Sequence, residues 1–256
     1  MAIAKGLVFS KNFRPDQITL TRRKIHLLKS YAKSGYIVEQ DNCKAVSRAD
    51  IVIVAVEPGQ IDGLLKEIRV RLSPKKHILI SVISGVGICA LQQQIGKNVP
   101  VIRAMPNTAI AIRESMTCLS TEDRYTMHLE TARKIFDTVG KTLIIDEEAM
   151  TAATSLGACG IAFFLRAIRA ASQGGIEIGF HAEDALTIAA QTAKGAASLL
   201  LSQENHPENE IDKVTTPRGC TISGLNQMEH GGFSSAMIKG IITSAEKASG
   251  LYKKCK

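Results

Sequence analysis

Along the first half of the chain, short continuous apolar runs alternate with stretches whose apolar residues recur at helical spacing. QITLT, YIVEQ, IVIVAV, HILISVIS and VPVIRAMP read as strands. IVIVAV and HILISVIS lack polar alternation, the pattern of strands buried on both faces. Between these runs, RKIHLLKSYAKSG (closed by Gly35), CKAVSRA, PGQIDGLLKEIRVRLS (proline at its start, ending at Ser73-Pro74) and ICALQQQIG read as helices. Strands separated by helical crossovers predict a parallel sheet covered on both faces. SMTCLST and LIIDE predict two late strands around the helix HLETARKIFDTVG.

After about Asp146 the strand signal stops. EEAMTAATSLGACGIAFFLRAIRAASQGG, HAEDALTIAAQTAKGAASLLLSQ and GGFSSAMIKGIITSAEKASGLY carry helical spacing. Glu183 and Asp184 fall in a first turn, where the macrodipole favours acids. The pattern predicts an α/β domain over 1–146 and an all-helical domain over 147–256.

Composition changes this picture little. Hydrophobic residues are 45% and charged residues 22%, ordinary for a globular protein. The formal charge of +8 raises nucleic-acid binding, but the basic residues are dispersed, without interleaved aromatics or a nucleic-acid motif. An anionic small ligand fits as well, and so does a solvated surface. The six cysteines form no CxxC pair and the six histidines no ligand spacing, so no metal or disulfide framework is expected, and a reducing cytoplasm is the simplest compartment. No secretory leader and no apolar run of membrane-spanning length are read from the sequence.

Doubly wound sheets bind ligands at the carboxyl ends of their strands. Arg22-Arg23-Lys24 follow QITLT, where an acid would grip the ribose of NAD and arginine accommodates the 2′-phosphate of NADP. Small residues end IVIVAVEPG and SVISGVG, allowing close approach of a flat ring. Met105-Pro106-Asn107-Thr108 close a strand with a fixed backbone and an amide that both donates and accepts. In VTTPRGCTISGL, Thr215, Thr216, Pro217, Gly219, Cys220 and Thr221 lead into a helix whose free N–H groups suit a carboxylate or phosphate. Taken singly, each segment also fits ordinary turn and capping chemistry.

Together, IVIVAVEP, VIRAMPNTAIAIRESMTCLS, LGACGIAFFLRAI, GAASLLLSQENHP and VTTPRGCTISGLNQMEHGGF resemble pyrroline-5-carboxylate reductase over essentially the whole chain. The resemblance implies a Rossmann-like doubly wound parallel sheet followed by an all-helical dimerisation domain. It implies hydride transfer from NADPH or NADH to 1-pyrroline-5-carboxylate, the last step of proline synthesis. It implies a small-molecule substrate and a homodimer that can assemble further, with no nucleic-acid or membrane partner.

Carried over by position, the resemblance assigns Ala55, Val56, Glu57, Pro58, Val82, Ile83 and Ser84 to the cofactor site. Asn42 goes to the adenosine side, and Thr21 with Arg22 to the 2′-phosphate. Met105, Pro106 and Asn107 go near the nicotinamide. Thr221 is the catalytic expectation, bonding the ring nitrogen. Thr216, Gly219, Cys220 and Thr221 hold the substrate, with Glu204 nearby.

This sequence departs from the family at several points. Glu57 stands where lysine is usual, Arg218 replaces the first of two glycines, and Ile161 and Phe163 replace a proline and a tyrosine. These read as lineage variation, because the anion turn and Thr221 are kept. MAIAKGL matches a family helix from its second turn onward, so the preceding strand and glycine-rich turn are expected to be missing from this chain and NADPH binding to be weak. Whether the protein starts earlier or is a genuine short form stays open. So do a related imine or hydroxyacid reductase and an impaired dimerisation partner.

Overall fold

Two separate ladders, rather than one continuous sheet, carry the alternating half of the chain. A computed structural model describes residues 1–251 apart from Lys97 and Glu204, and of Gln203 the backbone alone. In chain order the first unit contains α1 (Ala2–Phe9), β1 (Thr19–Thr21), α2 (Lys29–Lys33), β2 (Ile37–Glu39), α3 (Asn42–Arg48) and β3 (Ile51–Val54). Then come α4 (Ile61–Ile68), β4 (Ile78–Ser81), α5 (Ile88–Ile95), β5 (Val101–Met105), β6 (Ser115–Thr121), α6 (Thr126–Phe136) and β7 (Gly140–Ile144).

β1 pairs with β2 in parallel, Thr19 opposite Ile37. The larger sheet runs β3-β4-β5-β6-β7. All its neighbours are parallel except β5 and β6, which are antiparallel, with Arg103 opposite Ser120. The parallel pairing expected from the strand–helix alternation holds for β3, β4 and β5, while the late strand β6, for which the sequence reading gave no direction, joins β5 antiparallel. The segment 106–114 holds one tight turn, Thr108–Ile112, and is too short for the crossover a parallel pair needs.

The ladders are not hydrogen-bonded to each other, so among the described residues β1 and β3 each keep one unpaired edge. IVIVAV was expected to be buried on both faces, yet Ile51 to Ile53 are half-buried and Val54 alone in the strand is buried, because β3 is an edge strand. Ile18, Ile51 and Ile53 pack against one apolar cluster that includes Leu7 of α1, Ile102 and Phe136.

The sheet is covered on both faces. On one, Ile61 and Leu65 of α4 and Leu91 of α5 pack with Leu79 and Val101. On the other, Leu7 of α1 and Leu129 and Phe136 of α6 pack on Ile80, Ile102 and Leu119. Each such fully buried side chain contributes roughly 1.5–3 kcal/mol.

Two expected helices are shorter than read. RKIHLLKSYAKSG splits into a tight turn over Ile25–Leu28 followed by α2, closed by Gly35 at φ +89°. PGQIDGLLKEIRVRLS opens with a turn over Pro58–Gln60 and stops at Ile68.

The helical part contains α7 (Met150–Ala153), a π-helical segment over Thr154–Cys159, α8 (Gly160–Glu177), α9 (Ala182–Gln203), α10 (Pro207–Val214), α11 (Cys220–His230) and α12 (Phe233–Ser249). The chain forms two compact units, Met1–Cys159 with the residues from Ser244 onward, and Gly160–Thr243. In the second unit α8 and α9 form a helical hairpin in which Gly175 lets Ala185 approach closely. Most of its large apolar side chains face outward, including Phe164, Leu165, Ile178 and Leu201.

The sequence holds no continuous apolar run of membrane-spanning length, although the helical stretch Glu147–Glu177 is long and apolar enough on average by length and composition alone.

Candidate active site

Several sequence-predicted cofactor residues gather at the carboxyl ends of the strands of the first unit. Thr21 ends β1, with exposed Arg22 beyond it. Ala55 to Pro58 follow β3, and Glu57 caps the turn over Pro58–Gln60. Val82, Ile83 and Ser84 follow β4, and Pro106 and Asn107 follow β5. This is the edge where open α/β sheets hold ligands.

A cavity of about 280 Å³ opens between the first turn of α1 and the segment after β5. Met1, Ala2 and Ile3 line one side, Pro106 and Asn107 the other. Met1 stands at the N-cap of α1 and makes no side-chain cap. Burial first, then the nearby Arg22 and Lys5 charges, pull the Met1 ammonium below its ordinary value of 8.0. Two cationic side chains, Arg22 and Lys5, thus lie near the start of α1.

Some assigned side chains are occupied elsewhere. The Met105 side chain is buried with Cys118 and Met150, and Ile83 lies in the core. The Asn107 Oδ1 accepts from the Ala109 N–H at 3.1 Å, and its Nδ2 donates to the Gly157 carbonyl at 3.3 Å. Its amide fixes the turn, which is the capping role weighed from sequence. Asn42 begins α3 and donates from Nδ2 to Glu67 Oε2 at 3.2 Å.

One arrangement was missed from sequence. Arg103 of β5 is buried, and its Nη1 donates to Glu147 Oε1 at 2.8 Å. The same oxygen accepts the Ile88 N–H, at the start of α5, at 3.1 Å. The signal was present in VIRAMP as a charge inside an apolar strand, which demands a partner.

The second unit carries the other candidate group. Thr216 O accepts the Gly219 N–H at 2.8 Å, closing a turn with Arg218 at φ +61°. Gly219 then begins α11 in extended geometry with no side-chain cap. The first N–H groups of α11, next to Cys220 and half-buried Thr221, therefore have no side chain to satisfy them. A Cβ on Gly219 would lie 2.5 Å from Thr216 Oγ1, so the turn requires glycine for space. Thr216 thus shapes this turn. Glu204 lies outside the described residues.

Residues 147–251 match the family described as pyrroline-5-carboxylate reductase dimerisation. Residues 1–85 match the family described as NADP oxidoreductase coenzyme F420-dependent. The chain is 56% identical to pyrroline-5-carboxylate reductase 1 of Dictyostelium discoideum over 98% of its own length, and spans about half, 48%, of that protein. It is 48% identical to pyrroline-5-carboxylate reductase 2 of the same organism, over 97% of this chain and 88% of that one. The solved Plasmodium falciparum pyrroline carboxylate reductase, with NADP bound, superposes with a TM-score of 0.89 at 20% identity, covering 98% of this chain and 94% of that one. The Coxiella burnetii pyrroline-5-carboxylate reductase does so with a TM-score of 0.88 at 27% identity, covering 99% and 96%.

A Rossmann-like unit followed by a helical region is the architecture of the class that the matched NADP oxidoreductase and dimerisation families describe. Within that class, the chain belongs to the pyrroline-5-carboxylate reductases.

Proposed function

We propose that this chain reduces 1-pyrroline-5-carboxylate to L-proline with NADPH. The observation that carries the reading is the uncapped start of α11 behind Gly219, with Thr221 in its first turn. The open N–H groups and the helix dipole hold the substrate carboxylate. The Thr221 hydroxyl bonds the ring nitrogen, keeps the imine oriented and favours its protonated form. Orientation of this kind supplies a large part of the rate.

In the first unit, Lys5 and Arg22 near the start of α1 suit an anionic dinucleotide, with Arg22 on the 2′-phosphate and Pro106 and Ser84 beside the nicotinamide. When bound, NADPH supplies the hydride that reduces the imine carbon. The residues here fit its 2′-phosphate and nicotinamide ends.

The outward apolar residues of α8 and α9 support a homodimer formed through the helical unit. Contiguous exposed apolar surface of this kind marks an interaction face. The apolar stretch Glu147–Glu177 falls inside the dimerisation match, which supports burial against partner helices.

The test is NADPH oxidation on addition of the pyrroline, with the product identified as L-proline. A chain that binds NADPH yet forms no proline overturns the substrate. Sedimentation of the chain as a monomer at micromolar concentration overturns the dimer.

A further inference from the structure

The Arg103–Glu147 pair has no part in the chemistry above, and its placement is specific. Arg103 lies on the same face of β5 as Met105, two residues before the segment that turns into Pro106 and Asn107. Its side chain is 6% exposed, and that of Glu147 is 31% exposed, with the Oε2 atom turned inward. Ile88 follows directly on Ser84–Gly87, the turn after β4. Glu147 stands at the start of the helical stretch after β7. One carboxylate oxygen, Glu147 Oε1, therefore joins three chain segments, two of which flank the proposed nicotinamide position. Ser84 and Met105 meet on the same line, with the Ser84 hydroxyl 3.9 Å from the Met105 sulfur.

The pair is not built for stability. Buried ion pairs repay their desolvation only when the remaining donors and acceptors are satisfied. Here Arg103 Nε, Glu147 Oε2 and the hydroxyl of Ser120, which pairs with Arg103 across the sheet, are buried with no hydrogen-bond partner. An apolar pair of similar volume serves stability at least as well. What an apolar pair does not supply is a fixed distance between the turn after β4 and the end of β5.

Resting on the cofactor reading above, we infer that Arg103 and Glu147 are positioning residues that set the width of the nicotinamide slot through Ile88 and Met105. They do not touch the dinucleotide. They hold apart and in register the two segments that do.

The test compares the wild-type chain with R103M/E147L, an apolar pair of similar volume that removes both charges together and so leaves no buried ion uncompensated, and with E147Q. Two ligands are titrated by calorimetry: NADPH, and adenosine 2′,5′-bisphosphate, which lacks the nicotinamide. Thermal unfolding is followed in parallel. The double variant is expected to keep its melting temperature and its affinity for the adenosine fragment, while NADPH binds about tenfold more weakly. In turnover, KM for NADPH rises and KM for the pyrroline stays within about twofold. E147Q is expected to lose both stability and NADPH affinity. Unchanged NADPH affinity in the double variant, or equal weakening of both ligands, overturns the inference. If the wild-type chain binds the adenosine fragment but not NADPH, the cofactor reading fails and the inference with it. If the wild-type chain turns over and the double variant matches it, the inference alone fails.

Discussion

Gly6 of α1 lies so close to the carbonyl oxygen of Ile110 that no Cβ fits between them. The contact brings α1 down onto the segment that follows Asn107, with the Val139 side chain as a second neighbour. It forms one wall of the cavity beside Pro106. Gly6→Ala therefore forces backbone apart rather than a movable side chain. The expected cost is about 1–3 kcal/mol, a fall of several degrees in melting temperature. NADPH affinity falls with it. Calorimetric melting of the two chains measures the first effect and ligand titration the second.

Thr221→Val keeps the size of the side chain and removes the hydroxyl proposed for the ring nitrogen. A hydrogen bond to a charged group is worth about 1.5–3 kcal/mol, so kcat/KM for the pyrroline falls about ten- to a hundredfold. The melting temperature and NADPH affinity stay close to wild type. Gly219→Ala acts differently. Its Cβ meets Thr216 Oγ1 at 2.5 Å and Thr216 O at 2.9 Å, which displaces the carboxylate turn, so the main effect is a higher KM for the pyrroline. Steady-state kinetics separates the two.

Arg22 stands exposed after β1, where a cation favours a 2′-phosphate. Arg22→Asp is expected to weaken NADPH more than tenfold and to leave NADH unchanged or slightly improved. Equal effects on the two dinucleotides would remove Arg22 from the site.

The cysteines differ in a way that labelling can read. Cys118 is buried on β6, and burial raises its thiol pKa above 9.0. Cys89 and Cys220 are exposed. Iodoacetamide at neutral pH is expected to label Cys89 and Cys220 within minutes and Cys118 after unfolding. A saturating proline analogue slows Cys220 and not Cys89, because Cys220 begins the helix proposed to hold the carboxylate. Peptide mass mapping gives the order.

Glu210 supplies a pH-dependent contribution. Its Oε1 accepts from Lys213 Nζ at 2.6 Å and from Asn205 Nδ2 at 2.7 Å, and these bonds, Lys213 first, hold its carboxyl below the ordinary 4.5. A carboxyl depressed in the folded state adds stability above its unfolded value and loses it as pH falls through the folded one. Glu210→Gln should therefore melt lower than wild type at neutral pH, and the difference should close in acid well below 4.5. A difference that persists in acid would assign the effect to packing.

The strands were legible because buried runs such as HILISVIS leave few alternatives. The parallel direction of β3, β4 and β5 followed from the helices between them, but the direction of β6 did not, since an apolar run without a helical crossover carries no arrow. The antiparallel turn into β6 depends on the length of the link after Asn107. α10 escaped because PENEIDKV is polar nearly all round and has no apolar face to read, although Pro207 and Glu208 mark a helix start. The glycine at 219 and the caps were readable from local sequence, since their partners lie within a few residues. The Glu147 partner of Arg103 was not, because 44 positions separate them. The Asn107 amide illustrates the converse. Its chemistry suits a ligand, but its place in the turn directs both ends to the protein.

The unpaired edges of β1 and β3 have a consequence for handling. Each offers N–H and C=O groups along a short strand, TLT in β1 and IVIV in β3. Such edges recruit any extended segment that can complete them. Self-association of this chain would therefore have two separate routes, one through helix faces and one through backbone pairing. The second worsens with concentration and gentle warming.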